Sequence, residues 1–266
     1  MDVPARHADR APIMSLRDVT LCHDSKIIQR HLSFDVRRGS IFAIMGASGA
    51  GKSTALRAMI GLLAPRSGAM LVAGQDYWAS STSERARIAR RFGVLFQSGA
   101  LWSSLTVSEN VALPMQMLTD MDRNTIRRMV ELKLALVGLE DAADLLPGQL
   151  SGGMVKRAGL ARALALDPEV LFLDEPSSGL DPVSARHLDD LILDLRDALQ
   201  TTIVIVSHDL ANLFATADDG VFLDDHTRTA IARGAPGALR DHSEDPRVQA
   251  FMRRGETVTT PVREVV

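Results

Sequence analysis

The sequence holds one cysteine, Cys22, so no internal disulfide can form and the fold rests on packing and hydrogen bonds. That usage suits a reducing compartment. Aromatic side chains are scarce at 4% of residues, which makes an aliphatic core the expectation. An excess of positive charge is also missing: the formal net charge is -3. A chain this near neutrality has no broad basic field, which argues against nucleic acid as its main ligand. No apolar run approaches the roughly 20 residues that cross a bilayer. The stretch Met1 to Pro12 carries Asp2, Arg6, Asp9 and Arg10 and lacks the apolar heart of a secretory signal. The expectation is a cytoplasmic chain that meets a membrane only through a partner.

What is present is an ordinary globular composition, 46% hydrophobic and 24% charged over 266 residues. That length fits one large α/β domain or two small ones. Residues 1–12 read as a flexible tail. Val19 and Leu21, then Leu32, Phe34 and Val36, follow strand alternation. Ile41 to Met45, Val170 to Leu173 and Ile203 to Val206 are short apolar runs of the kind buried on both faces of a parallel sheet. Between them the spacing predicts helices from about Gly51 to Leu63, through Ile126 to Val137, from Val155 to Leu166, and through Val183 to Leu195. Strands alternating with helices imply a mostly parallel sheet with helices on both faces. The more helical middle third reads as an insertion.

Gly46-Ala47-Ser48-Gly49-Ala50-Gly51-Lys52-Ser53 fits the pattern of a phosphate-binding loop. Glycines let such a backbone turn its N–H groups inward around phosphate oxygens, and the positive end of the next helix adds to the attraction. Lys52 would reach the β- and γ-phosphates of ATP. The Ser53 hydroxyl would bind Mg²⁺, with Thr54 beside it. Typical residue frequencies produce the pattern by chance in about one chain of this size in a hundred. Here it has the buried strand before it and the helix after it that the function requires.

Such a loop needs a carboxylate for the metal and a group that orients water. The strand Val170 to Leu173 delivers Asp174 to face the metal and Glu175 to act as general base. A surface acidic pair after a strand is common, so this reading leans on the loop in the same chain. Ser151, Gly152 and Gly153 form a second helix-start anion site, although Ser-Gly-Gly is also an ordinary helix cap.

Taken together, the phosphate loop, Leu150-Ser151-Gly152-Gly153, Asp174-Glu175 and Ser178-Gly179-Leu180-Asp181 stand in the order and spacing of the ATP-binding cassette (ABC) ATPases. Gln97, after Val94-Leu95-Phe96, matches that family's Q-loop, and His208 its switch histidine. The resemblance spans roughly Met14 to Gly234. It implies a P-loop NTPase core with a mostly parallel sheet, an antiparallel β N-terminal subdomain and an inserted α-helical subdomain. The expected division is an ABC domain over 13–240, with the helical subdomain at about 98–165, followed by a C-terminal extension over 241–266. It further implies a head-to-tail dimer in which the signature at Ser151 closes over ATP held by the other chain's phosphate loop. Gln97 would touch Mg²⁺ or water, His208 the γ-phosphate, and Asp181 would link the two sites. Two positions depart from the family pattern. Met154 stands where many members carry Gln, and His23 is nearest the place where an aromatic usually stacks on adenine.

The run Phe96-Gln97-Ser98-Gly99-Ala100-Leu101, together with Met154 and Asp245 to Phe251, resembles the phospholipid-trafficking branch, the Mla (Mce-associated) ATPases. That likeness implies a separate permease at the bacterial inner membrane, approached from the cytoplasmic side, with a STAS-domain protein and an MCE-domain lipid-binding protein as further partners. An ABC importer for amino acids or another small solute is the rival within the class. A non-transport ABC ATPase is the rival outside it, but such proteins usually carry two cassettes or a long coiled-coil insertion. In the C-terminal extension, Val248, Phe251 and Met252 line one helical face, which either docks on the chain's own domain or grips a second subunit. Residues 257–266 read as loose.

Overall fold

The computed structural model describes residues 11–253. The tail reading at 1–10 and the loose end at 257–266 therefore lie outside the described residues. At Pro12 the tail reading is corrected, because the first strand already begins there.

β1 (Pro12–His23) and β2 (Lys26–Arg37) form an antiparallel hairpin. Alternation buries Leu32, Phe34 and Val36 on one face of β2. β4 (Ser67–Val72) and β5 (Gln75–Asp76) complete a four-stranded antiparallel sheet in the order β2-β1-β4-β5. The second sheet runs β10-β9-β3-β8-β7-β6. Its strands are β3 (Ile41–Gly46), β6 (Phe92–Leu95), β7 (Val170–Asp174), β8 (Thr202–Val206), β9 (Asp219–Asp224) and β10 (Thr229–Arg233). All pairings within it are parallel except that of β10 with β9.

The strands β3, β7 and β8 are apolar throughout because they are covered on both sides. Ile41, Ala43, Met45, Leu171, Leu173, Ile203 and Ile205 face one core. Phe42, Ile44, Phe172, Val204 and Val206 face a second, shared with the antiparallel sheet. There Phe34 stacks on Phe42 with ring centroids 5.3 Å apart.

Helices α1 (Lys52–Met59), α2 (Thr82–Ala89), α6 (Pro182–Leu199), α7 (Leu210–Thr216) and α8 (Pro236–His242) connect or follow these strands. Between β6 and β7 the chain inserts α3 (Val107–Leu118), α4 (Arg123–Leu136) and α5 (Gly152–Ala163), which pack on one another. The helix expected to reach Leu63 stops at Met59. Gly61 takes φ 81°, and the N–H groups of Leu62 and Leu63 fold back onto the Arg57 carbonyl. The helix expected from Val155 begins three residues earlier, with Ser151 as its N-cap.

The division at residue 241 falls inside α8. It is followed by α9 (Pro246–Met252), whose Val248, Phe251 and Met252 are buried. Phe251 meets Phe222 of β9 edge-on at 5.1 Å, and Arg247 pairs with Asp224 at 2.8 Å. This face docks on the chain's own domain.

Candidate functional site

The phosphate loop leaves the end of β3, a central strand. A side chain on Gly46 would put its Cβ 2.3 Å from the Leu223 carbonyl oxygen, and Gly46 adopts φ 143°. Gly51 is as constrained, at φ 84° with Ile28 of β2 pressed against it. Only glycine meets both demands. Lys52 is buried, and its ammonium donates to the carbonyls of Gly46 and Ala47, each at 2.9 Å. Burial lowers its pKa, and the nearby carboxylates of Glu175 and Asp174 work against that shift.

Gly46, Ser48, Lys52, Glu175 and His208 line one cavity of about 400 Å³, with Leu210 and Phe251 completing its wall. Residues from β3, the ends of β7 and β8, and α9 thus converge at one point. Ala50 is buried behind the loop, where its carbonyl accepts from Gln29 Nε2 at 2.7 Å, while Gly49, Ser53 and Thr54 continue the loop into α1.

Asp174 ends β7. Its carboxyl is pushed up by burial and by Glu175, against the pull of Arg57, Lys52 and Lys156. Its Oδ1 is buried and accepts no hydrogen bond. A buried carboxylate oxygen without a donor costs free energy unless a cation or water completes it. This atom therefore fits a magnesium ion, which commonly takes one or two carboxylates and the phosphates of its nucleotide. Among the described residues no cluster of three His, Cys, Asp or Glu side chains stands ready for a metal.

Glu175 sits at φ 50°, a conformation most non-glycine residues avoid and one that gathers at functional sites. Its N–H donates to the Val206 carbonyl at 2.8 Å, and its side chain is 14% exposed. His208 Nδ1–H donates to Glu175 Oε2 at 2.7 Å. The two residues arrive from neighbouring strand ends, β7 and β8, so the parallel pairing of these strands sets their spacing.

Gln97 stands outside the cavity lining, where its Nε2 donates to Ser178 Oγ at 3.3 Å. Ser151, Gly152, Gly153 and Asp181 form a separate group. Ser151 Oγ caps α5 by accepting from Met154 N, and Asp181 Oδ1 caps α6 by accepting from the N–H groups of Val183 and Ser184. A Cβ on Gly152 would touch Leu180 at 3.6 Å, and one on Gly153 would touch Ser184 at 3.8 Å. The signature therefore rests on the start of α6, and none of it lines the cavity of its own chain. His23 also stands apart, at the tip of the β1–β2 hairpin, with its side chain 80% exposed and 3.9 Å from Asp24.

Three residues of α5 belong to no contiguous motif of the sequence. Lys156 is buried and donates to the carbonyls of both Gln97 and Glu175. Arg162 donates to the carbonyls of Gly99 and Ala100, at 3.0 and 2.6 Å. Between them Gly159 lets the Gly99 carbonyl approach, at 3.1 Å from where a Cβ would stand. Their spacing of three puts them on one helical face. The signal was a cation, a glycine and a cation at that spacing, but which carbonyls they meet is set by tertiary structure.

The model of the ABC transporter family matches residues 29–178. An intermembrane phospholipid transport ATP-binding protein, MlaF of Haemophilus influenzae, is 41% identical over 94% of this chain and 93% of its own. A probable ribonucleotide transport ATP-binding protein of Mycobacterium leprae is 39% identical over 90% of this chain and 68% of its own. Among solved structures, the dimeric post-hydrolysis state of the cassette MJ0796 with ADP and phosphate superposes with a TM-score of 0.75. It is 28% identical and covers 84% of this chain and 98% of its own. Cassettes of this family bind and hydrolyse ATP, dimerise, and work with a membrane permease. No helix among the described residues is long and apolar enough to cross a membrane. The family model over residues 29–178 and the 41% identity over nearly all of both chains show that the chain belongs to the ABC transporter family, as an ATP-binding subunit of the Mla type.

Proposed function

We propose that this chain powers phospholipid movement through a separate permease, from the cytoplasmic side of the bacterial inner membrane. The observation that carries the substrate is the 41% identity with the H. influenzae phospholipid-transport subunit, over nearly the whole of both chains. A STAS-domain protein and an MCE-domain lipid-binding protein are the further partners proposed. The helices of about 98–165 serve as the arm between the ATP site and the permease.

The proposed chemistry is as follows. The loop from Gly46 to Thr54 holds the phosphates on its inward N–H groups, and Lys52 neutralises the β- and γ-phosphates. Ser53, Asp174 and Gln97 would hold Mg²⁺, which spreads the charge of the phosphates when bound. Glu175 accepts a proton from the water that attacks the γ-phosphorus, and ADP leaves. His208 holds the Glu175 carboxylate in place and contacts the γ-phosphate. Lys156 ties the Q-loop to the backbone of the general base, so that movement at one is felt at the other. Ser151, Gly152, Gly153 and Asp181 act on the ATP of a second copy in a head-to-tail dimer. Their absence from the cavity of their own chain supports that arrangement. His23 would meet adenine from the hairpin tip.

The substrate reading is tested by isolating the complex from membranes and identifying its bound molecules. Co-purified phospholipid, and ATPase activity that rises in phospholipid vesicles, is the expected result. A complex stimulated only by a soluble amino acid or nucleotide would sink the proposal.

A further inference from the structure

His208 is exposed over 67% of its side chain, so its position is set less by packing on the ring than by the backbone on either side. One side is fixed by β8 and the buried Ser207, whose Oγ accepts from Asp209 N at 3.0 Å. The other side is α7. Asp209 caps that helix by accepting from the N–H groups of Ala211 and Asn212, at 2.9 and 3.4 Å.

The first turn of α7 is fastened to α6 by one polar contact, in which Asn212 Nδ2 donates to Asp189 Oδ1. Both residues are buried, Asp189 at 8% exposure and Asn212 at 1%. Around them lie Leu188, Ile192 and Leu213 of the apolar core. Asp209, Asp190 and Arg186 are the charged groups that face the Asp189 carboxyl. Asn212 Oδ1 is buried and without a donor.

An aliphatic pair here would pack α7 on α6 without the cost of desolvating a carboxylate and an amide. It would also leave α7 free to slide, since apolar contact is non-directional. A buried hydrogen bond fixes one register. Asp189 lies eight residues beyond Asp181, about 12 Å along α6. The same helix supports the signature at its start and this contact two turns later.

We propose that Asp189 and Asn212 are positioning residues for ATP hydrolysis, forming a clasp that holds α7 in register on α6 and so keeps His208 against Glu175. The proposal rests on the role given above to His208. When Asp189 is protonated its hydroxyl can donate to Asn212 Oδ1 while Asn212 Nδ2 still donates back. This acid–amide pair is equally available with the two residues exchanged.

The test uses the full chain in complex with its permease. Asp189→Ala, Asn212→Ala, the exchange Asp189→Asn with Asn212→Asp, and His208→Ala are compared well below their melting temperatures. Turnover at saturating ATP and the ATP dissociation constant are both measured. Expected are a fall in kcat of at least fivefold in each single clasp variant, ATP affinity within twofold of wild type, and recovery of kcat to within twofold in the exchange. Wild-type turnover in the single variants overturns the clasp, as does a folded exchange variant that binds ATP but stays slow. If the single variants do not fold, the exchange decides alone by the same criterion. Full turnover in His208→Ala would remove the role on which the clasp depends. Loss there, with none in the clasp variants, would remove the clasp only.

Discussion

Lys156→Met tests the junction between Gln97 and Glu175, the proposed general base. Methionine nearly matches the lysine stem in length and keeps the buried volume. The change removes a charged donor from two carbonyls, those of Gln97 and Glu175. Hydrogen bonds from charged groups contribute about 1.5–3 kcal/mol each. Relief of burying the ammonium, which burial already holds below its usual pKa, offsets part of that sum. A net loss of about 2–3 kcal/mol at this junction is the working figure. If the loss falls on the alignment of Glu175 in the transition state, kcat drops about 30- to 150-fold at 1.36 kcal/mol per decade. ATP affinity should change little, because Lys156 does not line the cavity around Lys52. The assay is phosphate release by the complex at saturating ATP, with a separate nucleotide titration and a urea melt. A variant that loses stability but turns over within twofold of wild type would refute the alignment argument. So would one whose whole deficit lies in ATP affinity.

Glu175→Gln should retain ATP binding, stop turnover and accumulate a closed dimer; wild-type turnover would remove Glu175 as the base. Lys52→Ala should weaken nucleotide binding by at least two orders of magnitude, since it deletes the one lysine or arginine among the residues lining the cavity; an unchanged dissociation constant would contradict the phosphate-loop reading. Stability should depend on pH through Asp189, whose carboxyl burial pushes up to about 6, against the hydrogen bond from Asn212 and with Asp209 and Asp190 adding to the rise. The folded state then binds this proton more tightly than the unfolded chain, so the contribution is full below about pH 4 and is lost as pH rises through about 6. The two-unit difference is worth about 3 kcal/mol at most. Urea midpoints across that window should fall less steeply in Asp189→Asn than in wild type, and parallel curves would count against the assignment.

The parts legible in the sequence are those where one strand or loop carries its own signal. Ile41–Gly46, Val170–Asp174 and Thr202–Val206 are unbroken apolar runs, and burial on two faces makes them so. β4 and β9 carry no such signal. Ser67 and Gly68 open one, Asp219 and Gly220 the other, and neither pair carries strand propensity. Gly220 is small because the Ala43 carbonyl lies 2.6 Å from where its Cβ would be, a fact about a neighbouring strand. Among site residues, those in contiguous motifs could be named in advance. Lys156, Phe251 and the Asp189–Asn212 pair could not, because each acquires its partner only when distant segments meet.

Phe251 lines the cavity from α9, which is held on β9 by the Phe222 ring and the Asp224 carboxylate. One wall of the cavity is therefore only as firm as the seat of that helix. A substitution at Phe222 or Arg247 would loosen the wall without touching the loop on the opposite side.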